Sequence, residues 1–279
     1  MIQAFITEDE LKKISAWQKK CDKAGGHVPF LGHRDTWKIG RRHIYRDPDT
    51  GQFHLLASDL ELRVFVYLKF KFKDAVFETQ VPLLPLESTV AIANEIGVIH
   101  PRDWKTNNAR TMTTDLVMQG TDRKTNRRGC FAIYVKYFDG LYREIDGEFQ
   151  MKRRERQKIE IAKKLHENER NEQFLILTDR EVSKETAYSI NWLRVGEHEN
   201  TFGNEDVISF LESFLGFYTL DRLEILNDLL MKAARHLGTT FKKSLKLFRF
   251  CGLNHYLPID VSKRITLSTK IELLDNASI

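Results

Sequence analysis

Hydrophobic and polar positions alternate with a period of two along TMTTDLVMQ and again along CFAIYVKYF, with the basic turn TDRKTNRRG between them. Residues 111–138 therefore read as a β-hairpin. In the first run Met112, Thr114, Leu116 and Met118 share one face, and Thr113, Asp115 and Val117 the other. In the second run Phe131, Ile133, Val135 and Tyr137 lie opposite Cys130, Ala132, Tyr134 and Lys136. Paired around the turn, the two strands aim Asp115 and Lys136 at one cleft. Upstream, the spacing of Leu60, Val64 and Leu68 predicts a helix within residues 57–70. It opens on Ser58-Asp59-Leu60-Glu61, a capping box with Ser58 as N-cap and Glu61 at its third position. Before it, His43-Ile44-Tyr45 and Phe53-His54-Leu55 flank the turn Asp47-Pro48-Asp49-Thr50-Gly51, a second hairpin. Residues 7–23 predict a lysine-rich helix capped by Thr7 and broken by Gly25-Gly26, and residues 70–77 and 79–84 read as two extended segments.

Further along, residues 151–165 predict a strongly basic helix with Ile159, Ile161 and Leu165 as a thin apolar stripe. Phe174-Leu175-Ile176-Leu177 reads as a short strand buried on both faces. Strands flanked by helices give an α/β core. From about Asp179 the pattern turns helical: residues 183–194, 207–217 and 220–237, then a basic helix from Thr239 with Phe241, Leu245 and Phe248 on its apolar side. Two extended pieces follow, residues 256–261 and 265–273. The order helix, helix, basic helix, strand pair is that of a winged helix, which serves to read DNA or to dock protein.

The chain of 279 residues is 42% hydrophobic and 30% charged, a globular balance with room for two ordinary domains. It has no apolar run long enough for a membrane span and no secretory leader pattern at its start, so a cytoplasmic protein without membrane contact is expected. Cys21, Cys130 and Cys251 show no ligand or disulfide spacing, and His33, His43 and His54 none either, which argues against structural zinc. No glycine-rich phosphate loop is present, so ATPase activity within the chain is not expected. The net charge of +5 is modest but clustered, at Arg102, Lys105 and Arg110 ahead of Asp115 and at Arg123, Lys124, Arg127 and Arg128 in the hairpin turn. Such clusters suit phosphate contacts, and equally a solvated surface.

A carboxylate and a lysine on adjacent strands can serve phosphodiester hydrolysis, the carboxylate holding a hard divalent cation and the ammonium steadying the attacking water. Asp115 and Lys136 fit that description, and a solvated salt bridge fits them too. Glu61 likewise has two compatible readings, helix cap and catalytic carboxylate.

The ordered blocks HLLASDLELRVFVYL, TQVPLLPLE, GVIHP, MTTD, FAIYVK and FLILTDREV, between Arg41 and Trp192, resemble the TnsA family. TnsA proteins are restriction-endonuclease-like nucleases of heteromeric cut-and-paste bacterial transposons. The resemblance implies an α/β fold, with a restriction-endonuclease-like catalytic domain at residues 1–179 and a winged-helix-like docking domain at residues 180–279. It implies Glu61, Asp115 and Lys136 as catalytic residues, and Mg2+ as cofactor with Mn2+ able to substitute. Glu61, Asp115 and the Val135 main chain are the implied ligands. Where a better-known member of the family has glutamine two residues before the lysine, this chain has Tyr134, whose hydroxyl is expected to be dispensable. For the family's glutamate on the next helix, KIEIAKK offers only Glu160, one turn out of register. The implied activity is hydrolysis of the 5′-end strand at transposon ends. The implied partners are transposon-end DNA, a TnsB-like transposase and a TnsC-like AAA+ ATPase regulator. A stand-alone restriction or repair nuclease, and a winged-helix DNA-binding adaptor with a decayed nuclease core, are the other readings. Tyr134 speaks for decay, and the joint presence of Glu61, Asp115 and Lys136 against it.

Overall fold

The computed structural model describes residues 4–32, 41–47, 50–197 and 201–274. His33, Pro48 and Asp49 lie outside the described residues. The chain is mixed α/β and divides into two compact units. One comprises the chain up to Phe65 together with Phe72–Asp122 and Asn126–Glu181; the other comprises Val66–Lys71, Arg123–Thr125 and the chain from Val182 onward.

The first unit is built on a four-stranded sheet of order β3-β4-β5-β8: β3 Phe72–Pro82, β4 Thr113–Asp122, β5 Arg128–Val135 and β8 Gln173–Leu177. The first three are antiparallel and β8 runs parallel to β5, so the sheet is mixed. The β4–β5 hairpin forms where the alternation places it, from Leu116 opposite Ile133 to Thr121 opposite Arg128. β3 merges the two extended segments read from the sequence into one strand, with a bulge between Lys73 and Val76. β8 corrects another expectation. It pairs with β5 alone and lies at the sheet edge, with Leu175 36% exposed, because the apolar run is covered on one side only.

Helix α1, Glu8–Ala24, starts after Thr7 and ends where Gly25 takes a left-handed conformation (φ 66). Strands β1 (His43–Arg46) and β2 (Phe53–Leu56) form the antiparallel hairpin ahead of α2 (Asp59–Lys71). Phe65 of α2 packs on Phe77 of β3, with ring centroids 4.5 Å apart. Phe77 and Val117 point to opposite faces by strand alternation. On the Val117 face, Val81, Val117 and Ala132 meet Phe174. Phe174 also packs against a cluster drawn from α3 (Leu86–Glu95) and α5 (Arg153–Lys164), with Ile92, Ala93, Ile161 and Ala162 buried. Helices thus cover both faces of the sheet. Between β5 and α5 the chain forms a short helix, α4 (Phe138–Leu141), and a hairpin of β6 (Tyr142–Ile145) and β7 (Glu148–Met151). After α5 the chain widens into a π-helical turn, Leu165–Glu169.

The second unit contains α6 (Lys184–Arg194), α7 (Asn204–Leu220), α8 (Leu226–His236) and α9 (Phe241–Leu253). Ser183 and Thr240 cap α6 and α9 through their side chains. Phe210, Phe214 and Phe248 are fully buried at its centre. Gly252 allows a close approach there: a Cβ at this position would lie 2.7 Å from Ile259 Cδ1. The two extended pieces expected after α9 form isolated antiparallel bridges among the described residues rather than regular strands, Ile259 with Leu273 and Ile225 with Lys270.

Candidate active site

The sheet loses regularity at the end of β4 that carries Asp115. The β4–β5 ladder reaches Leu116 opposite Ile133; just beyond it, the Asp115 carboxylate itself accepts the Val135 N–H, Oδ2 to N 2.8 Å. On the other side, β3 pairs Thr79 with Leu116 and Val81 with Thr114, while Gln80 between them is held at φ 50. A left-handed conformation is costly for a residue with a side chain, and such positions concentrate at functional sites. The Gln80 amide, 2% exposed, donates to Glu61 Oε2 at 3.2 Å.

Glu61 is almost wholly buried at the start of α2, and its carboxylate is held by its own helix end. Oε2 accepts from Ala57 N at 2.7 Å and Oε1 from Ser58 Oγ at 3.1 Å, while Ser58 Oγ accepts from Glu61 N at 3.1 Å. The Ser58 half of the capping box is formed, the Glu61 carboxylate takes the N–H of Ala57 rather than that of Ser58, and from there it fixes Gln80. Asp115 is also buried, at 8% exposed. His43 and His54 take no part: His43 Nε2 lies 2.6 Å from Asp59 Oδ1, and His54 packs on Phe65.

Lys136 follows β5 directly, and its Nζ lies 3.4 Å from Glu155 Oε2. The same oxygen accepts a short hydrogen bond of 2.5 Å from the Tyr134 hydroxyl. Burial, the Glu155 hydrogen bond and the charges of Glu155 and Asp115 all push the phenol's pKa up, so Tyr134 stays protonated and acts as a donor. Burial works against charge on Glu155, but the Tyr134 hydrogen bond and the ammonium groups of Lys158 and Lys136 outweigh it. Its pKa is held below the ordinary value. Gly140 of α4 leaves room for the lysine stem, since a Cβ there would come within 3.3 Å of Lys136 Cε.

Two expectations are revised by this geometry. The Tyr134 hydroxyl is engaged rather than idle. The carboxylate that α5 contributes is Glu155, not Glu160, which faces Arg156 one turn along the helix at 3.9 Å. Five residues separate the two glutamates, about 140° around an α-helix, so they cannot serve the same cleft. The available signal was Glu155's place in the first helical turn, where a carboxylate is favoured by the helix dipole.

Among the described residues no three His, Cys, Asp or Glu side chains gather closely enough to hold an ion by themselves. Asp115 and Glu155 both act on Tyr134, with the Val135 backbone beside Asp115. Asp115, Glu155 and the Val135 carbonyl could offer oxygen donors of the kind Mg2+ takes, since that ion keeps several waters and is commonly held by one or two carboxylates.

A mixed α/β core with two carboxylates and a lysine at the ends of neighbouring elements is the class this fold and site define. No protein-family model matches the chain. Over 167 residues, 60% of its length, it is 30% identical to the transposon Tn7 transposition protein TnsA of Escherichia coli. The resemblance to TnsA is thereby borne out. The chain's match spans 55% of that relative's length.

Proposed function

We propose that the chain is a Mg2+-dependent DNA endonuclease subunit of a heteromeric transposase, hydrolysing the 5′-end strand at transposon ends. The observation that carries the reading is the convergence of Asp115, Glu155 and Lys136 at the irregular end of the β4–β5 hairpin, within a chain similar to a TnsA transposition protein. Asp115, Glu155 and the Val135 carbonyl would hold the ion, with Glu155 in the place expected of Glu61, whose two oxygens are taken by Ala57, Ser58 and Gln80; the ion's chemistry is to polarise a phosphoryl oxygen and to lower the pKa of a water. Lys136, now beside Glu155, would orient and steady that water. Tyr134 keeps Glu155 ionised and in place, and Glu61 holds Gln80 on the strand next to Asp115. The core is of the restriction-endonuclease-like type in this reading.

The second unit is proposed to be a docking domain of winged-helix type. Ile225 falls between α7 and α8, and its bridge to Lys270, with the Ile259–Leu273 bridge after α9, follows the strand order of a minimal wing. Its partners would be a TnsB-like transposase and a TnsC-like ATPase regulator.

The test is strand cleavage of end DNA by the full chain with transposase, regulator and Mg2+. Asp115→Ala and Glu155→Gln are each expected to lower the rate by at least about a hundredfold while leaving the circular dichroism spectrum unchanged. Undiminished cutting by Asp115→Ala would refute the reading.

A further inference from the structure

The π-helical turn after α5 delivers His166 into the sheet beside the site. His166 is 0% exposed, and both ring nitrogens are engaged: Nδ1 lies 2.5 Å from Glu172 Oε2 and Nε2 lies 2.7 Å from Thr114 Oγ1. An ionised carboxylate can only accept, so Nδ1 carries the hydrogen that Glu172 receives. In the neutral ring Nε2 is then the acceptor, and the Thr114 hydroxyl donates to it. The three side chains form one hydrogen-bonded chain, Thr114, His166 and Glu172. Thr114 is the residue immediately before Asp115.

The same turn grips the neighbouring strand. Arg170 Nη2 donates to the Leu84 carbonyl at 2.9 Å and to the Pro82 carbonyl at 3.3 Å. Pro82 pairs with Thr113 and Val81 with Thr114. The turn and its C-cap therefore tie down the end of β3 and the start of β4, both on the same side of the irregular Gln80 and Asp115 positions. A π-helical turn spends one more residue than the α-helix needs, and such turns occur frequently at functional sites. A fully buried imidazole is also an expensive way to pack a core, since an apolar side chain of similar volume would serve.

We propose that His166 is a positioning residue for Asp115, acting through Thr114, and that the π-helical turn holds the catalytic end of β4 in register. The proposal rests on Asp115 belonging to the hydrolytic site. The imidazole fixes the Thr114 rotamer and the backbone at residues 114–115, and so the direction in which the Asp115 carboxylate leaves the strand. Outer partners of this kind are worth about 10- to 100-fold in activity where they have been removed from other sites.

The experiment uses the full chain with transposase, regulator and Mg2+ under single-turnover conditions, beside DNA affinity by fluorescence anisotropy and melting by circular dichroism. His166→Ala and Thr114→Val are each expected to slow cleavage about tenfold or more at a temperature where both remain folded, with DNA affinity unchanged. Thr114→Ser, which keeps the hydroxyl, is expected to regain most of the rate. The double variant should be no slower than the slower single, because both changes break one chain of interactions. Should His166→Ala fail to fold, the near-isosteric Thr114→Val and the rescuing Thr114→Ser decide the matter alone. Cleavage by Thr114→Val within twofold of wild type, or a loss that Thr114→Ser does not restore, overturns the proposal. Asp115→Ala run in parallel separates the two claims. If it is inactive while His166→Ala and Thr114→Val are fully active, only the positioning role falls; if it is fully active, the nuclease reading falls and this proposal with it.

Discussion

Tyr134 shows how much one hydroxyl can decide at a site made of like charges. Asp115 and Glu155 both act on it, and the phenol is the neutral group that touches Glu155 directly. Phenylalanine at this position would keep the ring's burial and remove the donor, leaving Glu155 to the ammonium groups of Lys136 and Lys158. A hydrogen bond to a charged group contributes about 1.5–3 kcal/mol, and the lower end applies where water can substitute. Tyr134→Phe is therefore expected to fold normally and to cut about tenfold more slowly, with a higher Mg2+ concentration needed for half-maximal rate. A magnesium titration of the cleavage rate checks this. A variant indistinguishable from wild type in both rate and magnesium demand would return Tyr134 to the idle role read from the sequence. Asp115 and Lys136 were legible because strand alternation fixes which residues share a face. Glu155 was not, because the apolar stripe of α5 draws attention to KIEIAKK, whereas the first-turn carboxylate is placed by the helix end and by a tyrosine twenty-one residues earlier.

At the scale of elements, what could be read were those whose hydrophobic period is strong: α1, α2, the β4–β5 hairpin, α5 and the helices from α6 to α9. The β6–β7 hairpin escapes because its strands are four residues each and none of these residues is fully buried, so no buried alternation marks them. The π-helical turn escapes because its extra residue is imposed by the strands it grips, not by local propensity. Helix α3 went unread, and a buried histidine holds it to the following segment. Thr89 of α3 and His100 are both buried, with His100 Nε2 2.9 Å from Thr89 Oγ1 and Nδ1 2.8 Å from the Pro101 carbonyl. A carbonyl only accepts, so Nδ1 carries a hydrogen, and the one Thr89 hydroxyl hydrogen is shared between the Leu86 carbonyl, 2.8 Å away, and Nε2. Burial lowers the pKa of His100, opposed in part by the bond to Pro101. The unfolded chain therefore binds this proton more readily than the folded one. The contribution of the neutral ring is complete above about pH 6.5 and is lost as pH falls through the lower folded value. Denaturant midpoints measured from pH 8 to pH 5 are expected to fall more steeply in wild type than in His100→Leu. Parallel slopes in the two proteins would show that His100 does not set this dependence.

For the whole molecule, the net charge of +5 is small, and some of the basic residues serve local purposes: Lys164 pairs with Glu95, Lys243 with Asp206 and Arg110 with Asp103. A small net positive charge gives only a modest attraction for phosphates, so the lone chain is expected to bind end DNA and unrelated DNA alike, weakly and with loss of affinity as salt rises. Recognition of the end would come from the transposase, and attachment to the regulator from the second unit. Truncation is a poor test of that division, because Val66–Lys71 groups with the second unit and the Phe70 carbonyl lies 2.9 Å from His255 Nε2. Removing residues 180–279 would strip Phe70 of its partner as well as remove the docking surface. Charge reversal on α9 in the full chain is cleaner: Lys242 is exposed and Lys246 half-buried, both on the helix after the Thr240 cap. Lys242→Glu with Lys246→Glu is expected to abolish capture of the ATPase regulator in a pull-down while the slope of log affinity for DNA against log salt stays as in wild type. The opposite pattern, regulator capture intact and the slope shallower by roughly two, would make α9 a phosphate-binding helix and move regulator attachment elsewhere.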